Sequence, residues 1–486
     1  MKLSKILHGI ETDNEYSPEI EITALELDSR KVSNGGLFIA LSGKTQDGKK
    51  YIPAALDAGA RVVVYDGEYN GAKDEAVFIK LKGDMRRNVA QMAANFYTNI
   101  PPMMSAITGT NGKTSIADFT RQLMRTLGHN AASIGTVGVV ADGLDNIETL
   151  TTPDSITLHK ILKQLAVAGV EYVSMEASSV GIEQYRMDNL PIKVAGFTNF
   201  TQDHLDYHIT MENYFEAKKQ LFSRVMKADG TAVLNADIKE FDELRRTCDE
   251  RGIKVLSYGK KGRDLKLIES VPHGEGQKLK VEILGKIYVI DLPLIGAFQA
   301  MNVLCAIGMV IALNGGMSEK IIDYLPRIKG ACGRLDRVGT LPNGAAVYVD
   351  YAHTPDALEN VLKTVRVHTN NKLWVVFGCG GDRDKLKRPI MGEIAERLAD
   401  KVIVTDDNPR TERAEQIRSE IIAKCPSAIE IGDRIEAIEY AISHLEKGDI
   451  LVLAGKGHET GQKIGDTIIP MNDIDEARRL LKKYSD

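Results

Sequence analysis

Six consecutive residues, Gly109-Thr110-Asn111-Gly112-Lys113-Thr114, carry the densest chemical signal in the chain. Glycines free of a Cβ let neighbouring backbone amides converge on phosphate oxygens. Lys113 can extend to the β- and γ-phosphates, and the Thr114 hydroxyl can ligate Mg²⁺. An apolar run at 103–107 precedes the loop, and 115–127 follows with Ile116, Phe119, Leu123 and Leu127 spaced along one helix face. Strand, glycine loop and helix is the context in which such a loop binds a nucleoside triphosphate, because the helix N-terminus adds partial positive charge. Ser115 then stands at the start of the helix as a further phosphate contact. Ile107 occupies the place where the general G-x-x-x-x-G-K-[ST] pattern has glycine, so the loop is two residues shorter between its glycines. That departure argues against GTPases and motor ATPases and for a narrower set of ATP users. A turn with a capping threonine is the plain alternative for the loop in isolation.

Other clusters follow in the centre of the chain. Thr151-Thr152-Pro153-Asp154 is polar and turn-prone, suited to hydrogen-bonding a sugar or phosphate, although Asp154 alone reads as a helix cap. Glu176 follows a β-rich run at 171–175, and a carboxylate at the carboxyl end of a parallel strand lies where α/β sheets bind ligands. It is therefore a Mg²⁺ candidate. His204 and His208 have i,i+4 spacing, but Leu205 stands where a zinc H-E-x-x-H motif has Glu, so one histidine assisting a magnesium site is the better reading. Gly378-Cys379-Gly380-Gly381-Asp382-Arg383 fails the dinucleotide pattern G-x-G-x-x-G because position 383 is Arg. In Asp407-Asn408-Pro409-Arg410, the Asn-Pro turn can aim Arg410 into a cleft, where its guanidinium can grip a carboxylate while Asp407 or Asn408 meets an ammonium.

Positioning these groups requires several sheets. The 486 residues allow about three domains at ~150 residues each. A small α/β unit is expected over 1–99, with strands at 37–40 and 61–65 and a helix at 52–58. Pro101-Pro102 then interrupts the chain. Over 100–330, strands at 171–175, 194–197 and 231–234 alternate with helices, which predicts a parallel sheet covered on both faces and carrying the ATPase loop. Over 331–486, strands at 346–349, 373–377, 402–405 and 450–454 predict a second, Rossmann-like doubly wound sheet. A formal charge of −5 and the absence of a basic stripe give no reason to expect nucleic acid. Residues 1–10 carry two lysines and no sustained apolar run, and no stretch approaches ~18 consecutive apolar residues, so neither a signal peptide nor a membrane span is expected. Five scattered cysteines without a C-x-x-C pair read as reduced thiols in a cytoplasmic protein.

The ordered set T-G-T-N-G-K-T, M-E-A-S-S, N-F-T-Q-D-H-L-D-Y-H, G-R-L-D-R and D-Y-A-H-T-P-D resembles the Mur ligases, cytoplasmic enzymes that add amino acids to the peptidoglycan precursor. The resemblance spans nearly the whole chain. Leu27-Asp28-Ser29-Arg30 and Lys44-Thr45-Gln46-Asp47-Gly48 look like the uridine-binding module of the branch that adds the third residue to UDP-N-acetylmuramoyl-L-alanyl-D-glutamate. It implies an ATP-dependent, ADP-forming ligase, monomeric, acting through an acyl phosphate with Mg²⁺. Gly109 to Ser115, Asn302, Arg334 and Asp350 would contact ATP, with Lys113, Glu176, His204 and Lys218 in catalysis. Thr114, Glu176 and His204 would serve the metal, joined by Lys218 as its carbamate. Leu27, Ser29, Lys44, Thr45, Gln46, Thr151, Thr152, Ser178, Gln184 and Arg186 would hold the nucleotide-linked dipeptide. Arg383, Asp407, Asn408, Pro409, Arg410, Gly455 and Glu459 would hold meso-diaminopimelate, because D-N-P-R resembles the diaminopimelate form. The lysine-adding form, folylpolyglutamate synthetase and a non-ligase P-loop NTPase are the rival readings.

Overall fold

The computed structural model describes all residues except 44–46, 72–75, 148, 274, 275 and 486. The expected substrate contacts Lys44, Thr45 and Gln46 therefore lie outside the described residues. Near the N-terminus, Leu25–Glu26, Gly36–Ala40, Ala60–Tyr65 and Val77–Lys80 form an all-parallel four-stranded sheet. Gly36–Ala40 is buried throughout, as expected of a strand covered on both faces. The helix Met85–Phe96, capped by Asp84 accepting from the Arg87 amide, packs against the helix Ser155–Val167 of the central unit. Ile156 joins the N-terminal core, and Lys160 pairs with Glu26 at 2.6 Å across the same junction.

The central sheet has eleven strands. Its middle is parallel, with Met103–Thr108 lying between Ile192–Phe197 and Tyr172–Glu176, and Ala131–Gly135 beyond the latter. The carboxyl ends of these strands converge on one crevice. Both edges turn antiparallel, which the sequence reading did not anticipate. Gly138–Ala141 and Leu144–Ile147 extend one side, and Leu265–His273, Gly276–Ile283 and Lys286–Leu292 form a meander on the other. In the meander, Leu279, Val281 and Ile283 are buried while Lys278 and Lys280 face water, the period-two pattern of a sheet with one wet face.

The 18-residue helix Ala297–Asn314 is long and apolar enough by composition to cross a membrane, despite Gln299, Asn302 and Asn314 within it. It is instead a core helix, packed against the helix Lys113–Thr126 and the strands beside it. A helix that is apolar all round is buried in protein when neighbours cover every face.

The C-terminal sheet runs Asp336–Thr340, Ala346–Asp350, Ile450–Ala454, Leu373–Phe377, Lys401–Val404 and Ile429–Glu430, parallel except for its first strand. Apolar cores on both faces make it doubly wound. Ile450–Ala454 is inserted between Ala346–Asp350 and Leu373–Phe377, so the loops leaving their carboxyl ends open a crevice at the reversal of strand order. The fold is thus α/β throughout, with a central sheet whose parallel middle carries the 109–114 loop and a Rossmann-like C-terminal sheet.

One ion pair braces that crevice from behind. Arg434 and Asp473 are both fully buried, bonded through Nε at 2.8 Å and Nη2 at 2.6 Å, and Nη2 also donates to the Ala454 carbonyl at 3.0 Å. Removing one partner strands a buried charge. Arg434→Met is expected to destabilise the C-terminal unit by about 3–5 kcal/mol, and Arg434→Met/Asp473→Leu to recover most of that loss. Guanidinium unfolding followed by the fluorescence of the single tryptophan, Trp374, measures both. Equal loss in the double variant would refute the account.

Candidate active site

The phosphate loop leaves the strand Met103–Thr108 with Gly109 at φ +140° and Gly112 at φ +88°. A Cβ on Gly109 would stand 1.9 Å from Thr198 Oγ1, and one on Gly112 would stand 2.5 Å from Asn302 Oδ1. Both glycines are thus required by close approach as well as by conformation. Residues 198–201 cradle the loop. Thr198 Oγ1 donates to the Asn111 carbonyl at 2.6 Å, and Asn199 Oδ1 accepts from the Asn111 amide at 2.8 Å. Asn111 Nδ2 donates to Asp356 Oδ2 of the C-terminal unit at 3.0 Å. No side chain caps the helix Lys113–Thr126, which leaves its first amides to the cleft.

Two lysines crowd this loop. Lys113 Nζ folds back on the Gly109 and Thr110 carbonyls at 2.9 and 2.7 Å. Lys218 Nζ donates to the same Gly109 carbonyl at 2.8 Å and lies 4.4 Å above the Tyr214 ring. Burial, reinforced by the Lys113 charge, holds the Lys218 amine well below the ordinary lysine range. Burial also lowers Lys113, against the pull of Glu176 and Asp203. Its neighbour Lys219 points away, pairing with Glu216 and with Glu243 at 2.7 Å.

Glu176 is buried, with Oε1 accepting from the Thr136 amide at 2.8 Å and Oε2 from the Thr136 hydroxyl at 3.1 Å. Thr114 Oγ1 accepts from Arg334 Nη2 at 2.9 Å, and Arg334 lies 4.3 Å over the Tyr351 ring. Among the described residues no three His, Cys, Asp or Glu side chains cluster to hold a metal unaided. The Thr114 hydroxyl and the Glu176 carboxylate nevertheless fit Mg²⁺, which takes one or two protein oxygens and completes its shell with phosphate and water. The two histidines diverge. His204 lines the cleft beside Asp203, whereas His208 is buried, with Nε2 2.9 Å from Ser179 Oγ and Nδ1 3.3 Å from Glu183.

The cleft encloses about 470 Å³ and is lined by the loop, Glu176, His204, Lys218, Asn302, Arg334, Asp350 and Arg383, together with Thr151, Thr152, Ser178 and Arg186. Thr152 Oγ1 donates to the Glu176 carbonyl at 2.9 Å and accepts from the Ser178 amide at 3.0 Å. Arg186 donates to the Thr152 carbonyl at 2.7 Å and to Gln184 Oε1 at 2.9 Å. Asp154 is the cap of Ser155–Val167, so the threonines and not the aspartate face the cleft. Asp350 accepts from the Leu335 and Ala352 amides at 2.6 and 2.7 Å, and burial pushes its carboxyl up to about 6. Leu27 and Ser29 stand outside the cleft in the segment that follows the strand Leu25–Glu26, around Asp28, which caps the turn Ser29–Lys31.

At the acceptor end the glycines of 378–381 serve packing. A Cβ on Gly381 would stand 1.9 Å from the Pro409 carbonyl oxygen, and one on Gly380 would stand 2.6 Å from Arg410 Nη1. Arg410, at φ +53°, donates to the Gly381 carbonyl at 2.7 Å. Asn408 Nδ2 donates to Glu459 Oε2 at 3.0 Å, and Gly455 lies against the Asp407 carboxylate. Arg383 reaches toward the central unit, 3.8 Å from Asp206. Sequence reasoning missed Thr136, whose only signal is the glycine before it. It also missed Lys456, a lysine set between glycines after a buried strand, and Arg388, which is fully buried against Glu412, Glu420 and the Gly380 carbonyl. The hairpin Gly461–Ile464 and Thr467–Pro470 walls the pocket through Lys463, whose amide donates to Asn408 Oδ1 at 2.9 Å.

Comparison with known proteins follows this geometry. Residues 21–97 match the Mur ligase family catalytic domain, 107–310 the Mur ligase middle domain, and 333–457 the Mur ligase glutamate ligase domain. A protein of Mesorhizobium japonicum, named UDP-N-acetylmuramoyl-L-alanyl-D-glutamate--2,6-diaminopimelate ligase, is 47% identical over 483 residues, 99% of each chain. A Caulobacter vibrioides protein of the same name is 46% identical, covering 96% of this chain and 97% of its own. A solved structure of a ligase of that name superposes with a TM-score of 0.69 at 34% identity over 99% of both chains. Folylpolyglutamate synthase of Mycobacterium tuberculosis, complexed with ADP and AMPPCP, shares the fold at 19% identity and a TM-score of 0.64, over 76% of this chain and 92% of its own.

The close approach of Gly381 to Pro409 has a measurable consequence. A methyl group at 381 must push the 407–410 loop outward. Gly381→Ala is expected to weaken binding of an amino-acid ligand at Arg410 about 30-fold, roughly 2 kcal/mol, with ATP affinity held within about threefold. Calorimetry on the full chain reads both, and unchanged amino-acid affinity would count against the packing account.

Proposed function

The chain belongs to the Mur ligase family, and we propose that it is the ATP-dependent ligase that joins meso-2,6-diaminopimelate to UDP-N-acetylmuramoyl-L-alanyl-D-glutamate in peptidoglycan precursor synthesis. Whole-length similarity at 45–47% identity to ligases of that name supports the reaction. The observation that carries the acceptor assignment is the meeting of the 407–410 and 455–459 loops. Arg410 is anchored beside the joined Asn408 and Glu459, so a cation and a carboxylate stand ready for the two charges of one amino-acid head.

In the reaction the γ-phosphoryl group passes from ATP to the D-glutamyl carboxylate, giving an acyl phosphate and ADP. The acceptor amine then attacks the acyl carbon, and inorganic phosphate leaves as the amide forms and the amine sheds a proton. The 109–114 loop and Ser115 hold the phosphates. Lys113 must leave the Gly109 and Thr110 carbonyls to reach them, and its cation then offsets charge on the transferring group. Two Mg²⁺ ions, served between them by Thr114, Glu176, His204 and Lys218 as its carbamate, would supply further charge neutralisation. Asn302 packs on Gly112 within the central unit, whereas Arg334 ties Asp350's unit to Thr114, so Arg334 and Asp350 meet ATP only when the two units come together. Thr151, Thr152, Ser178, Gln184 and Arg186 orient the dipeptide beside Glu176. We assign 1–99, with Leu27, Ser29 and 44–46, to the uridine end, 100–330 to ATP and 331–486 to the acceptor. Soluble nucleotide substrates suit a cytoplasmic monomer.

Purified chain incubated with UDP-N-acetylmuramoyl-L-alanyl-D-glutamate, Mg²⁺ and ATP should release phosphate and form tripeptide only when an amino acid is added. The expected kcat/KM for meso-diaminopimelate exceeds that for lysine by at least about 100-fold, the discrimination available when a site built for a polar group is offered a ligand without it. Equal use of lysine would sink the Arg410 assignment.

Lys218 generates a second test. Burial disfavours the charged form of Lys218, and its amine can then attack CO₂, forming an N–C bond and releasing a proton, to give an anion able to ligate metal beside Lys113. Native mass spectrometry in bicarbonate should show the added mass of one CO₂, absent in Lys218→Ala, and that variant should lose at least about 1,000-fold in kcat, the scale on which a metal-dependent charge stabiliser acts. Full activity of Lys218→Ala would remove it from the mechanism.

A further inference from the structure

Lys456 is fully buried, yet the reaction as derived above gives it nothing to do. It lies in the loop leaving Ile450–Ala454, between Gly455 and Gly457 at φ +112° and +56°. Its Nζ donates to Asn408 Oδ1 at 3.1 Å and to Glu459 Oε2 at 2.9 Å. Asn408 Nδ2 donates to the same Glu459 oxygen at 3.0 Å, which closes a triangle across two loops.

The triangle has a direction. Lys456 and the Lys463 amide converge on Asn408 Oδ1, so the amide group cannot turn over and its Nδ2 must face Glu459. Asn408 Nδ2 and Lys456 Nζ both donate to Glu459 Oε2, and among the described residues no hydrogen bond reaches Oε1. The Glu459 side chain is 30% exposed, so Oε1 is left for an incoming donor. A buried ammonium is costly without partners, and those of Lys456 are two of the groups assigned to the acceptor.

Charge balance adds a second argument. Arg434 behind the loop is neutralised by Asp473. Where the 407–410 and 455–459 loops meet, Lys456 and Arg410 oppose Glu459 and Asp407, so the formal charges of this subsite cancel; Arg383 stands apart from it toward the central unit, 3.8 Å from Asp206. A neutral pocket with both signs fixed suits a zwitterionic amino-acid head, which carries an ammonium and a carboxylate on one carbon. Without Lys456 the same pocket is net negative and suits a lone ammonium. We propose that Lys456 is a positioning and specificity residue, aiming Glu459 Oε1 at the ammonium of the acceptor's far head and setting the charge balance that rejects acceptors ending in an ammonium alone. This inference rests on the reaction assigned above.

The test uses the full chain with Lys456→Met, Lys456→Gln and Lys456→Arg. For the two neutral variants, KM for meso-diaminopimelate should rise at least about 30-fold, with KM for ATP and for the nucleotide-linked dipeptide held within about threefold. The ratio of kcat/KM for diaminopimelate over lysine should fall at least about tenfold, and Lys456→Arg should restore part of both. In a Glu459→Gln background, Lys456→Met should add little further loss, because its partner is already gone. An unchanged ratio, a parallel rise in all three KM values, or failure of every variant to fold would each overturn the proposal in favour of a merely structural lysine. A wild-type chain that ignores diaminopimelate would instead overturn the assigned reaction.

Discussion

Two buried amines donate to one backbone carbonyl, that of Gly109, and much of the cleft is arranged around that crowding. Lys113 and Lys218 set two amines, each disfavoured as a cation by burial, below a loop whose amides and helix end are already electropositive. The carboxylates that face them are few: Glu176, held by Thr136, and Asp203, next to His204. Such a site is poorly satisfied alone and strongly favours anions. Triphosphate, a substrate carboxylate and a carbamate on Lys218 each answer that imbalance, which explains why so many of the assigned roles converge within one cavity of about 470 Å³.

The loop is also where the separate sheets touch. Asp356 accepts from Asn111 and Arg334 donates to Thr114, so the C-terminal unit holds the phosphate loop directly. On the other side Arg86 reaches Gln184 at 3.4 Å, and Gln184 in turn bonds Arg186 of the dipeptide site. Nucleotide at the loop must renegotiate the Arg334 and Lys113 contacts. Under the proposed assignments, occupancy of the ATP site would be tied to the placement of the C-terminal unit, as expected where closure assembles a catalytic site.

What the sequence disclosed follows the range of the forces involved. The strand, glycine loop and helix around 109–114 are local, and so is the Asp154 cap; both could be read from adjacent residues. Strands at 373–377 and 450–454 were legible because burial on both faces leaves an unbroken apolar run. The meander at 265–292 was not, because one wet face dilutes its apolar signal with Lys278, Lys280 and Lys286. Residues 378–381 fail the dinucleotide pattern, and the packing their glycines allow depends on the Pro409 carbonyl, 28 positions beyond Gly381. Thr136 bonds a carboxylate 40 residues away, and no local pattern marks it. The motif resemblance supplied roles for Lys218 and Glu459 that spacing alone would have left as ordinary charged residues.

Buried lysines thus have opposite uses, Lys218 in this cleft and Lys456 where the 407–410 and 455–459 loops meet, and their partners decide which. Lys218 meets a carbonyl and an aromatic face, neither of which cancels its charge, so burial drives it toward the neutral amine. Lys456 meets a carboxylate and an amide oxygen, which together replace the water it has lost. A lysine left without a counter-charge becomes reactive, whereas one given a carboxylate becomes rigid. The first property suits the carbamylation proposed for Lys218. The second suits a group whose task is to hold Glu459 still while a flexible amino acid finds its place. Neither residue type nor burial separates these cases, because both lysines are almost wholly inaccessible. The difference lies in the second atom each ammonium touches, which only the folded chain determines.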